Sequence, residues 1–241
     1  MAKRGLSRAK PRGRPRKQPI STPGVGVALP AGKAGFTPGV DNFPIPKKRG
    51  RPPTSADAVW DHALALASTI SDHYAMRRDE QHFALQYALI LDPQAILLEL
   101  GVTHGHTAAI LCYAAKLKGF TYYGIDDFSL EGSATTTQEN LTRLHLPFHL
   151  IEGNTQTVPW TLPIDYLLLD AGHDVVNITQ DCLRFLPFVN PGGLVLFHDY
   201  NPTIDNTDPH WGVKNAADTY CGNWETVDYI PWLLIKRKPS A

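Results

Sequence analysis

The 241-residue chain has little cysteine, no membrane-length apolar run and no net charge. Cys112, Cys182 and Cys221 are scattered and odd in number, with no Cys-x-x-Cys pair. That argues against a disulfide framework or a zinc site and for three small buried hydrophobes in a reducing compartment. No apolar stretch approaches the roughly 18–20 residues of a membrane span. The basic N-terminus lacks the apolar core of a secretory signal. These absences lead us to expect no membrane partner and a cytoplasmic location.

The zero net charge conceals two opposite parts. Residues 1–53 hold 13 of the 23 Lys and Arg and a single acid, Asp41, a balance of +12; the remainder carries −12. The same segment holds 10 of the 20 prolines and 8 of the 19 glycines. It has no apolar periodicity, so it has too little surface to bury to offset the entropy of ordering. We expect a disordered basic tail over 1–53 and a globular domain over 54–241. Two elements stand out in the tail, Pro11-Arg12-Gly13-Arg14-Pro15-Arg16-Lys17 and Lys47-Lys48-Arg49-Gly50-Arg51-Pro52-Pro53. Arginine is drawn into the narrow, strongly negative minor groove of A·T-rich DNA. Glycine lets the backbone sit deep there, and proline keeps the flanks extended. Both elements, 11–17 and 47–53, resemble the AT-hook, a family of short DNA-binding motifs, which would make Arg12, Gly13, Arg14, Arg49, Gly50 and Arg51 the DNA contacts. The cores begin 37 residues apart, at Arg12 and Arg49, and a flexible linker of that length spans roughly 30–35 Å, about one turn of DNA, so two weak hooks can add by avidity. A solubilising arm, a nuclear-import signal and a non-specific polyanion binder are the competing readings. DNA binding would place the protein at a nucleoid or nucleus.

The domain half reads as strands alternating with helices. Thr54 to Asp57 has the spacing of a capping box and opens a helix; a second helix spans about Asp79 to Leu91. Strands follow at Ile96–Leu100, Thr121–Ile125, Phe148–Ile151, Ile164–Leu169 and Leu194–Phe197. Helices are expected at about Thr107–Lys118, within Glu131–Leu146, after His173 with a face reaching Val189, and at about Val213–Tyr220. Two short strands, Trp224–Val227 and Trp232–Ile235, close the pattern. Apolar strands alternating with helices mean a doubly wound, mostly parallel sheet covered on both faces. Ligands collect at the carboxyl ends of such strands. The first strand runs into Glu99, Gly101, Gly105 and Thr107, where bare backbone and helix N–H groups can face a ligand. The second ends in Asp126, where a doubly wound sheet holds a ribose.

With these residues in place, the domain resembles the class I S-adenosylmethionine-dependent methyltransferases, which implies a seven-stranded Rossmann-like sheet. Glu99-x-Gly101-x-x-x-Gly105-x-Thr107 looks like the family's first motif. Asp170-Ala171-Gly172-His173-Asp174 and Gly192 to Asp199 look like the small-molecule O-methyltransferase subgroup related to macrolide-sugar methyltransferases, although Ala171 and Gly172 depart from its usual Asp-Gly-x-His. The resemblance implies that Glu99, Gly101, Gly105, Thr107, Asp126, Asn154 and Asp170 bind S-adenosylmethionine, with Asp127 as a substitute for Asp126. It implies a hydroxyl of a small molecule or sugar as acceptor. Catalysis would fall to Asp170, His173, His198 and Asp199. A divalent cation, Mg²⁺ or Mn²⁺, would sit on Asp170, His198 and Asp199, the imidazole tilting the choice from Mg²⁺. Without a metal, His173 or His198 would be the general base.

Three rivals stand beside this reading. A nicotinamide-dependent oxidoreductase needs Gly-x-Gly-x-x-Gly, and Gly101 to Gly105 has the wrong spacing. A nucleic-acid- or protein-directed methyltransferase would explain the tail, but the Asn/Asp-Pro-Pro-Tyr/Phe motif and a Pro-Cys pair are both lacking. A non-catalytic DNA-associated protein with a retired fold would keep the sheet and lose the acids.

Overall fold

The computed structural model describes residues 55–204 and 208–240. The tail and both Arg-Gly-Arg-Pro elements lie outside the described residues. Helix α1 (Ala56–Ala67) is capped by Ser55, whose side chain accepts the Ala58 N–H at 3.2 Å. The cap thus falls one residue beyond the Thr54 the sequence pattern singled out. Helix α2 (Arg78–Ala88) is capped from inside, the Glu80 carboxylate accepting the Arg77 N–H at 2.7 Å.

Seven strands then form one sheet: β1 (Ile96–Leu100), β2 (Thr121–Asp126), β3 (His149–Glu152), β4 (Ile164–Leu169), β5 (Val189–Tyr200), β6 (Glu225–Ile230) and β7 (Trp232–Arg237), in the order β3-β2-β1-β4-β5-β7-β6. The pairs from β3 to β5 are parallel, and β7 is antiparallel to both its neighbours. The intervening helices are α3 (His106–Lys118), α4 (Ala134–Arg143), α5 (Val175–Phe185) and α6 (Val213–Cys221). This is the doubly wound sheet that the alternation predicts, with the seven strands that the resemblance implies. Successive side chains of a strand point to opposite faces. Accordingly Leu97, Tyr166, Leu168 and Leu196 join the core shared with α1, α2 and α3, while Leu98, Leu167, Leu169, Val195 and Phe197 join the core shared with α5 and α6. The chain leaves β1 toward β2 and β3 but returns on the other side as β4, so the crevice between β1 and β4 is the switch point of the sheet.

Two expectations are corrected. Val189 is not on the α5 face: α5 ends at Phe185, Leu186–Phe188 forms a 3₁₀ turn, and Val189 starts β5 opposite Ile164. Pro191 to Gly193 is not a turn before the strand but lies within it. The Gly192 N–H donates to the Lys238 carbonyl and Lys238 N–H to the Gly193 carbonyl, each at 2.9 Å, so the ladder continues through the irregularity. Helix α4 is shorter than the polar stretch, because Gly132 takes φ +86° before the Ser133 cap and His145 turns to φ 54° after it. Among the described residues no helix is long and apolar enough to cross a membrane.

Candidate active site

The glycine loop after β1 is held open by close packing. Gly101 has φ +88°, and a Cβ there would lie 2.1 Å from the Asp170 carbonyl oxygen at the end of β4. Only glycine lets the two strand ends approach this closely. Gly105, at φ +89°, caps α3. Asp126, ending β2, ties the loop down: one carboxylate oxygen accepts the Val102 and Thr103 N–H groups at 2.6 and 2.8 Å, and the other accepts the Phe128 N–H at 2.6 Å. Thr103 in turn donates its hydroxyl to Asp72 at 2.6 Å, which fastens the segment before α2 onto the loop.

Glu99 is 1% exposed and accepts the Tyr122 hydroxyl at 2.5 Å. Burial pushes its carboxyl well above the usual range, although the Tyr122 hydrogen bond opposes that. A cation delivered beside it would restore the charged form.

Two cavities flank the loop and share Gly101, Thr103, Leu130, Asp170 and Ala171 as walls. The first, about 270 Å³, reaches Asp126, Asp127 and Asn154. There Asn154 donates to Asp127 at 3.0 Å. The second, about 210 Å³, reaches Asp72, Tyr74, Glu99, Thr107 and the trio His173, His198 and Asp199. Of the cofactor-binding candidates, all but Gly105 line one cavity or both. His104 and His106 line neither; His106 meets Gln81 at 2.9 Å.

The catalytic candidates converge as their strand ends predict. His198 Nδ1 lies 2.5 Å from Asp170, and His173 Nδ1 lies 3.0 Å from Asp199. The β5–β7 register shifts between His198 and Tyr200, and Asp199 takes φ 60° there. That bulge turns Asp199 to the same side as its neighbours. Burial alone would lower both imidazole pKa values, but the surrounding acids outweigh it. Asp170 and Asp199 hold His173 at about 9, and Asp170, Glu80 and Asp199 hold His198 at about 11. Asp170 is itself pulled below its usual value, the two imidazoles outweighing its burial. Among the described residues, Asp170, His173 and His198 can each bring a ligand atom within 4.8 Å of the others. Asp199 stands beside this group, 3.7 Å from His198 Nδ1.

Two participants escaped the sequence reading. Asp72, in the linker before α2, lines the second cavity. Glu80, on α2, is 1% exposed and reaches His198 Nε2 at 3.3 Å. Neither has a strand-end position that would have marked it.

Residues 98–200 match the family model described as a methyltransferase domain. An uncharacterized protein, R132, of Acanthamoeba polyphaga mimivirus is 24% identical over 151 residues, spanning 56% of this chain and 63% of that protein. The fold matches an O-methyltransferase from Bacillus cereus solved with SAH, at a TM-score of 0.56 and 16% identity over 77% of this chain and 92% of that one. It also matches the SAH-bound Podospora anserina methyltransferase PaMTH1, at 0.54 and 14% over 76% and 88%. Residues 98–200 thus match a methyltransferase domain, and the described residues take the fold of these methyltransferases.

Proposed function

We propose that the chain transfers the methyl group of S-adenosylmethionine to a hydroxyl of a small molecule or sugar. The observation that carries the choice of acceptor is the lining of the second cavity. It presents Asp72, Glu99, Asp170 and Asp199 with two imidazoles, and neither cavity is lined by a Lys or Arg. The acids of this pocket outnumber its two imidazoles and no Lys or Arg is added, so a polyanion gains little net attraction there; a neutral polyol needs none. In this reading the first cavity takes the nucleoside, with Asp126, Asp127 and Asn154 nearest the ribose and adenine, and Glu99 meets the cofactor's ammonium. Methyl transfer is an in-line displacement, so the site must align the hydroxyl and accept its proton.

The residues suit a divalent cation. His173 Nε2 is buried and makes no close hydrogen bond, Asp170 standing 3.6 Å away, and carboxylate plus imidazole donors favour Mn²⁺ over Mg²⁺. Asp170, His198 and His173 would hold it, with Asp199 adjacent. A bound cation would lower the acceptor hydroxyl's pKa. With no metal, both imidazoles are protonated at neutral pH, which leaves Asp199, 21% exposed at its side chain, to take the proton in place of either histidine.

The basic tail favours a second reading, a methyltransferase tethered to or acting on nucleic acid, because two Arg-Gly-Arg-Pro elements recur within 53 residues. One experiment separates them. The full chain is incubated with methyl-labelled S-adenosylmethionine, Mn²⁺ or Mg²⁺, and a lysate divided into DNA, RNA, protein and small-molecule fractions. Label in the small-molecule fraction alone, lost in Asp170→Ala, supports the first reading. Label in a macromolecular fraction refutes it. Removal of residues 1–53 is expected to abolish salt-dependent affinity for A·T-rich duplex and leave the labelled fraction unchanged.

A further inference from the structure

We propose that Glu80 is a positioning residue for His198, fixing the imidazole so that Nδ1 faces the cavity; this rests on the methyltransferase reading of the site. Glu80 sits in the first turn of α2, where a carboxylate that merely caps a helix stays at the surface. Here the side chain is 1% exposed. It crosses to the far end of β5, 118 residues away in sequence. Its Oε2 does two tasks, accepting the Arg77 N–H at 2.7 Å and facing His198 Nε2 at 3.3 Å. Its Oε1 is gripped by the Arg77 guanidinium, Nε at 2.8 Å and Nη2 at 2.7 Å. Arg77 is anchored in turn by donating from Nη2 to the Pro231 carbonyl at 2.7 Å, in the link between β6 and β7. The carboxylate is therefore immobilised from behind before it meets the ring.

An ionised carboxylate only accepts hydrogen bonds, so His198 Nε2 must carry the proton that points at Glu80. Nδ1 is then the atom left to face Asp170 at 2.5 Å and Asp199 at 3.7 Å. In the metal-free protein Nδ1 donates its own proton to Asp170; a metal in the second cavity would displace that proton and meet Nδ1. Carboxylates that hold the outer nitrogen of a ligating histidine in this way set its orientation and basicity. Among the described residues His198 is faced by Glu80 from α2, Asp170 just after β4, Asp199 from β5, and His173, whose ring centroid is 5.8 Å away.

The test uses the full chain with ¹⁵N-labelled histidine, comparing wild type, Glu80→Gln and Glu80→Ala. The His198 ring signals are assigned by their loss in His198→Gln. In Glu80→Ala the Nε2 resonance should shift and the ring lose its single orientation. Mn²⁺ affinity should fall about 10- to 100-fold, while SAH affinity stays within twofold. Glu80→Gln should restore most of both, because an amide oxygen in the place of Oε2 can still accept from Arg77 N–H and His198 Nε2. Should Glu80→Ala fail to fold, Arg77→Gln, which frees Oε1, replaces it and should show the same changes in milder form. Unchanged His198 ring signals with unchanged Mn²⁺ affinity in the folded variants would overturn the proposal, as would a loss of thermal stability with no change at His198. Absence of SAH binding by wild type would count against the methyltransferase reading, and the ring signals would still judge Glu80 by themselves.

Discussion

Replacing Gly101 with alanine tests the packing that builds the cofactor loop. At φ +88° an L-residue is strained by about 1–2 kcal/mol. The new Cβ would also stand 2.1 Å from the Asp170 carbonyl oxygen, 2.6 Å from its carbon and 2.9 Å from Ala171 Cα. Those are backbone atoms of the neighbouring strand end and cannot rotate away, so overpacking adds about 1–3 kcal/mol. The total is roughly 2–5 kcal/mol, which in a domain of this size lowers the melting temperature by roughly 4–20 °C. Gly192 supplies the control. It has φ +81° but nothing within 4 Å of its would-be Cβ, so Gly192→Ala carries the strain alone, and the unfolded-state gain of alanine is common to both. Melting by circular dichroism should place Gly101→Ala several degrees below Gly192→Ala. Calorimetric titration should show weaker SAH binding for Gly101→Ala only, because Gly101 walls both cavities. Equal melting and equal SAH affinity in the two variants would refute the close approach of β1 and β4.

Glu99→Gln removes a buried ionisable group, so the apo protein should melt no lower at pH 8 than wild type while SAH affinity drops at least about tenfold, as expected when a charge-assisted contact is lost; undiminished SAH affinity would separate Glu99 from the cofactor. His173 and His198 have raised pKa values, so their stabilisation is complete below about 6.5 and is lost as pH rises through about 9 and about 11 respectively. Chelator-treated protein should therefore lose melting temperature from neutrality to about pH 9, and His173→Asn should flatten that decline. Asp181, buried on α5, is raised by desolvation to about 6. Its contribution is present below 3.8 and lost as pH rises through about 6, so Asp181→Asn should raise the melting temperature at pH 7 and leave it unchanged near pH 4.

The parts of the site legible in the sequence were those carried by strand ends. Ile164–Leu169 is read with its observed bounds because an apolar run stops at an acid, and Glu99, Asp126, Asp170 and His198 follow from the same rule. Glycine spacing located the loop because φ above zero and backbone approach demand that residue. What the sequence hid depends on tertiary contact. Glu80 looks like any first-turn acid until α2 is laid against the end of β5. Asp72 gains its meaning only from the Thr103 hydroxyl. Pro191 to Gly193 has the composition of a turn, and only pairing with the segment after β7 keeps it in the sheet. His173 was expected as a base; its two acid neighbours, Asp170 and Asp199, make it a protonated partner in the absence of metal.

The most direct test of the account is a calorimetric titration of the full chain with SAH, with NAD⁺ titrated in parallel. Binding of one SAH per chain, weakened by Glu99→Gln and Gly101→Ala and unmatched by NAD⁺, is the predicted result. Binding of NAD⁺ with no SAH binding would contradict it.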